Sequence, residues 1–156
     1  MTFSAASKAV ADLERIGDEA VKIARIVMFV YGHDENSPNK RLLRDVRVTS
    51  QLATGMLRKS LDAFDRLDVD NAVKVIEQDL KLDEEFQASM RHLVTYVMED
   101  TRTIGHAINV VLIIKALERV GDHAKNIAEY IVYQVKGKDV RHKGVFELAH
   151  EILNKK

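Results

Sequence analysis

The sequence predicts an all-α protein, an antiparallel three-helix bundle preceded by one further long helix. Seven glycines and a single proline in 156 residues are too few breakers for a strand-and-turn fold. Apolar residues recur at alternating steps of three and four through four long segments, the period of an amphipathic helix. The breaks between the last three segments are short, which makes those helices antiparallel neighbours. A composition of 46% hydrophobic and 31% charged residues is that of a folded chain of one-domain size.

The first helix is expected at about 2–32, where Phe3, Ala6, Val10, Leu13, Gly17, Ala20, Ala24, Val27 and Tyr31 form one stripe. The polar run Gly32–Asn39, which holds the proline, ends it. A second helix over about 40–67 carries Leu42, Val46, Leu52, Met56, Leu57, Leu61 and Phe64, and either Asp68 or Asp70 is placed to cap its successor. The third, about 70–98, repeats Val73, Ile76, Leu80, Asp83, Gln87, Met90, Val94 and Val97, so two polar residues interrupt its seam. After Glu99–Thr103 the fourth runs to about Lys136 on a core row of Ile113, Leu117, Val120, Ala124, Ile127 and Ile131, with Gly137 as its terminator. A charged tail follows, with a short amphipathic stretch around Val145–Leu153.

Several function classes are excluded or made remote. Without cysteine there is no disulfide framework, zinc ribbon or thiol nucleophile, and any metal must take oxygen or histidine ligands. Lys+Arg and Asp+Glu are 24 each, so the basic footprint of a duplex-binding protein is missing and no nucleic-acid partner is expected. No 18-residue apolar run or signal h-region occurs, and a cytoplasmic, non-transmembrane protein is expected. Charge is nevertheless segregated: Lys40–Arg66 holds seven basic and three acidic residues, whereas Asp68–Asp100 holds three basic and nine acidic. The second and third helices should therefore attract, through exposed pairs of modest individual strength.

The strongest signal is an internal repeat. VADLERIGDEAVKIARIV at 10–27 matches IKALERVGDHAKNIAEYI at 114–131, an offset of 104 residues. Apolar periodicity alone would satisfy a core, so the repetition of Glu, Arg and Asp around a glycine asks for a chemical reason. Glu14 and Asp18 stand four apart, as do Glu118 and Asp122, and each pair stacks on one helix face as a like-charge clash. The third helix adds Asp79 and Asp83 at the same spacing, with Asp83 in the apolar row. If the third and fourth helices are neighbours, Asp79, Asp83, Glu118 and Asp122 converge as an all-oxygen site suited to magnesium, calcium, manganese or iron.

Blander readings stand beside this one. Glu14 and Glu118 could pair with basic residues of the second helix. His123 reads as an interhelix or surface histidine before a ligand, Asn126 and Glu129 as solvated before widening the carboxylate face, and Arg15 and Arg119 equally as structural partners of third-helix acids or as functional residues. A carboxylate-bridged di-iron oxidase or storage bundle wants Glu-x-x-His on two helices. That spacing occurs only at Glu147–His150 in the tail. A purely structural helical partner is the remaining alternative. No phosphate-cradling glycine loop or Ser/His/Asp grouping points to an enzyme.

LERIGD at 13–18, VTYVMEDTRTI at 94–104 and LERVGDHAKNIAEYIVYQVKGKDVRH at 117–142 together closely resemble the PhoU family of phosphate-signalling regulators. The resemblance implies two tandem three-helix repeats with E/DxxxD metal motifs: Asp79, Asp83, Glu118 and Asp122 in the second repeat, Glu14 and Asp18 alone in the first. It implies bound divalent or trivalent metal, whether iron, zinc, manganese or magnesium. It implies no catalysis but a link between the ATPase subunit of the phosphate ABC transporter and a sensor histidine kinase, at the inner membrane through those partners. The chain then divides into 1–33, the last helix of an incomplete first repeat; 39–137, a complete second repeat; and 138–156, the tail. Lacking two bundle mates, the first helix is expected to pair with that of a second chain in a homodimer rather than fold back on the bundle.

Overall fold

The computed structural model describes residues 2–33 and 40–137, with Glu147, His150 and Asn154 beyond them. The amphipathic stretch of the tail and most of the Gly32–Asn39 break lie outside the described residues. Four long helices carry the fold: α1 Phe3–His33, α2 Lys40–Arg66, α3 Val69–Glu99 and α4 Ile104–Lys136, with a short 3₁₀ turn at Thr101–Thr103. These are the helices the periodicity predicts, and no strand occurs among the described residues.

Local chemistry sets the turns. Asp68, the nearer of the two aspartates, caps α3: its carboxylate accepts from the Asn71 backbone N–H at 3.0 Å. Its own N–H bonds back to the Ala63 carbonyl at 2.9 Å, which closes the α2–α3 turn and holds Leu67 at φ 53°, a left-handed conformation costly for leucine. The α3–α4 corner is built on Asp100, whose carboxylate accepts from the Arg102 backbone N–H at 3.1 Å and its Nε at 2.9 Å. Gly137 ends α4 at φ 65°, with its N–H on the Tyr133 carbonyl.

α2, α3 and α4 form the up-down-up bundle around Met56, Val75, Ile76, Leu82, Ala124 and Ile131. The attraction expected between α2 and α3 appears in the Arg41–Glu99 pair at 3.5 Å, while the more deeply placed pair, Asp45 with His92 at 3.1 Å, reverses the sign. The core row read for α4 is buried throughout.

α1 is where expectation and structure part. It does not stand off as an extension of the bundle but folds back antiparallel along α4, with Thr2 beside Gln134, Asp12 beside His123 and Glu19 beside Arg119. Ala9 and Ile16 join Ala53, Ile113, Leu117 and Val120 in one cluster. The face it buries is Ala5, Ala9, Asp12, Ile16 and Glu19, not the stripe read from the sequence; Phe3 (91% exposed) and Val10 (64%), with Leu13 and Val27, face outward. α1 carries two apolar stripes side by side, and α4 takes the one with fewer large side chains and more charge. By the 104-residue offset Ile16 and Val120 are equivalent, so the contact is pseudo-two-fold about them.

The repeated glycine shows what the outward stripe lacks. A Cβ on Gly121 would run into the Leu82 side chain, which is wedged against α4, whereas nothing lies near the equivalent position on Gly17. Gly121→Ala is therefore expected to destabilise by about 1–3 kcal/mol through overpacking. Gly17→Ala should instead stabilise by about 0.5–1 kcal/mol through helix propensity. Urea denaturation of the two variants checks both signs.

Candidate metal centre

Leu82 seats against Gly121 one residue away from both Asp83 and Asp122, so the close approach that the glycine permits also brings carboxylates of α3 and α4 together. One carboxylate oxygen from each of Asp79, Asp83 and Asp122 lies within 4.8 Å of the other two. Glu118, one turn before Asp122, raises the pKa of both Asp83 and Asp122 by its charge. All four α3 and α4 residues singled out from the sequence thus share one locale. Their burial differs from expectation. Asp79 is the buried member at 4% exposure and Asp83 is exposed at the rim, because the inward row of α3 runs through Ile76, Asp79, Leu82, Ser89 and Leu93. Leu80 and Val94, read as core, are exposed.

Burial, then the charges of Glu118, Asp79 and Asp83, push the Asp122 carboxyl up to about 6, with Lys115 offsetting part of the rise. Asp83 is raised as well, by desolvation and then by Asp79 and Glu118, against the pull of Lys125 and Lys115. Two lysines of α4 supply the compensating charge, where the sequence reading looked to α2. Lys115 Nζ is 2.6 Å from Glu118 Oε2, and Lys125 Nζ is 3.2 Å from Asp79 Oδ2. Desolvation would lower the Lys125 pKa, but the charge and hydrogen bond of Asp79, with Glu129 and Asp83, raise it. Both lysines were legible in principle, each three residues from a carboxylate of the repeat.

The donor set suits a hard cation. Asp79 Oδ1 is buried with no hydrogen-bond partner, an arrangement that costs free energy unless something positive meets that oxygen. Carboxylates alone make up the group, the chemistry preferred by magnesium, calcium and manganese. Asp79, Asp83 and Asp122 would hold such an ion with Glu118 in reach, supplying charge neutralisation between two helices.

Glu14 and Asp18 do not join this group. They lie on the exposed face of α1, where Asp18 borders a shallow hollow with Val21, Lys22 and Arg25. The remaining residues of the repeat serve the α1–α4 contact. His123 Nδ1 sits 2.7 Å from Asp12 Oδ1, to which the Asn126 amide also donates at 3.1 Å, so His123 is an interhelix histidine. Arg119 pairs at 3.8 Å with Glu19 of α1, not with an acid of α3. Glu129, expected in solvent, is buried, since α1 covers that side of α4. Asp12 and Glu19 were missed because they fall outside the identities of the repeat.

The folded chain holds the Asp122 proton more tightly than the unfolded chain does. In the metal-free protein this group favours folding below about pH 4, and the contribution is lost as pH rises toward 6. Asp122→Asn should therefore melt about 2–4 °C above the parent at pH 7 and converge with it near pH 4, by calorimetry in chelator.

Comparison with known proteins places this geometry. The PhoU domain family matches residues 46–131. The phosphate-specific transport system accessory protein PhoU homolog of Pseudomonas aeruginosa is 43% identical over 95% of this chain and 60% of its own length. PhoU of Escherichia coli K12 is 41% identical over 96% of this chain and 60% of its own length. The chain thus spans about 60% of these curated relatives. The crystal structure of PhoU from Pseudomonas aeruginosa superposes with a TM-score of 0.76 at 42% identity, over 86% of this chain and 63% of that one. The phosphate transport system regulatory protein PhoU from Streptococcus pneumoniae gives 0.74 at 28% identity, over 85% and 60%. With most of α2, all of α3 and the carboxylate-bearing part of α4 inside the matched domain, the chain belongs to the PhoU family.

Proposed function

We propose that this chain is a non-catalytic regulator of phosphate uptake and phosphate-regulon signalling. It acts in the cytoplasm by contacting the ATPase subunit of the phosphate ABC transporter and its sensor histidine kinase, and it binds metal through the α3–α4 carboxylates. The observation that carries the regulatory reading is the family match over nearly the whole chain. The buried, unpartnered oxygen of Asp79 inside a three-aspartate group supports metal binding. No helix among the described residues is long and apolar enough to cross a membrane. In this reading α1 closes an earlier repeat and α2–α4 form a complete one, and Glu14 and Asp18 are half of a site whose other half lies on helices that would cover the outward stripe. In the isolated chain that stripe supports pairing with a second copy. An oxidase reading gains nothing from the cluster, which contains no histidine.

Three measurements test the proposal. Metal titration of the purified chain should show uptake that Asp83→Ala with Asp122→Ala abolishes; unchanged stoichiometry in the double variant defeats the metal reading. A phosphate-regulon reporter should be high in a null strain and repressed by a version spanning the length of the PhoU relatives that captures the kinase and the ATPase, and failure of both capture and repression defeats the regulatory reading. Light scattering on a size-exclusion column should show concentration-dependent dimers, and a monomer at high micromolar concentration defeats self-pairing.

A further inference from the structure

The two lysines beside the carboxylates do more than balance charge. Lys125 reaches from α4 to α3, with Nζ 3.2 Å from the buried Asp79. Lys115 pairs with Glu118 and also lies over the Phe86 ring of α3, 5.2 Å from its centroid. Positions 115, 118, 122 and 125 follow one another at steps of three and four, so an ammonium stands at each end of the α4 carboxylates on one face. The repeat signature does not require them, because the equivalent positions on α1 are Ala11 and Val21.

We infer that Lys125, with Lys115 beside it, is a tethered counter-cation of this carboxylate cluster: it joins α3 to α4 in the metal-free protein and competes with an incoming metal ion for Asp79. The inference rests on the metal-binding reading above. Its chemical content is that a metal ion arriving at Asp79 Oδ1 meets a carboxylate whose Oδ2 is already paired with an ammonium, so the lysine keeps binding weak and exchange reversible. Formally, four carboxylates and two ammonium groups leave a charge that one divalent ion neutralises. The fold then does not depend on metal, since the lysine stands in for it. Removing the lysine should tighten the site and make the fold lean on the ion.

The test compares the full chain with Lys125→Met and Lys125→Arg by calorimetric titration with Mn²⁺ and by urea denaturation in chelator. Lys125→Met should bind Mn²⁺ about tenfold tighter or more, since an ammonium a few ångströms away no longer opposes the ion. Its metal-free form should unfold at lower urea, with Mn²⁺ restoring more stability than it adds to the parent. Lys125→Arg, which keeps the charge, should stay near the parent in both readouts. Equal Mn²⁺ affinity in the parent and Lys125→Met overturns the inference while leaving metal binding intact. If neither protein takes up Mn²⁺, the metal reading fails, and with it the competition. The metal-free joint is then judged by the cycle of Lys125→Met with Asp79→Asn: additive losses overturn it, and a double variant no less stable than Lys125→Met supports it.

Discussion

A helix with neighbours on three sides keeps little of its surface for solvent, and α4 is such a helix: α1, α2 and α3 all pack on it. Its middle is therefore buried on several sides, including Gly121 and Glu129, and the polar groups turned into its seams need partners there. The repeated LERxGD signature is the solution at its midpoint. Leu117 fills the α1–α2 side, Arg119 meets Glu19, Gly121 admits Leu82, and Glu118 and Asp122 turn toward α3. One heptad thereby serves three interfaces.

That economy concentrates negative charge between α3 and α4, beside the contact of Leu82 with Gly121. Carboxylates gathered in a partly buried seam cannot all ionise cheaply, and the rise of the Asp122 pKa to about 6 is the electrostatic consequence. The seam is tolerable because charge is answered locally by lysines of the same helix. It remains incompletely answered at Asp79 Oδ1, where the cost of burying charge is only partly offset.

The helices and their ends were legible because breakers and caps act locally: Asp68 and Gly137 need only their immediate neighbours. The grouping of Asp79, Asp83, Glu118 and Asp122 was legible because four-residue spacing fixes a face and short turns fix adjacency. Which face turns inward was not. On α1 and α3 two candidate stripes lie one residue apart, both apolar enough to pass, and only the neighbouring helices decide between them. Hence Val10 and Leu80 were read as core and are exposed, while Asp79, Asp12 and Glu129 are buried. Buried acids are invisible to apolar periodicity, because the partners that permit them, Lys125 and His123, sit far away in the chain.

The pseudo-two-fold contact between α1 and α4 joins two copies of one ancestral pattern, and such copies run the risk of pairing with themselves. The polar residues that line it are where the copies diverge. The equivalent of His123 on α1 is Glu19, so an antiparallel pair of α1 helices meeting on this face would set Asp12 against Glu19, acid against acid. Two α4 helices in the same arrangement would set His123 against Ala116 and leave Arg119 without Glu19. Only the mixed pair satisfies both acids. Divergence between the repeats has thus written an address into the seam, discriminating the correct mate from an almost identical one by repulsion in one wrong pair and by lost partners in the other.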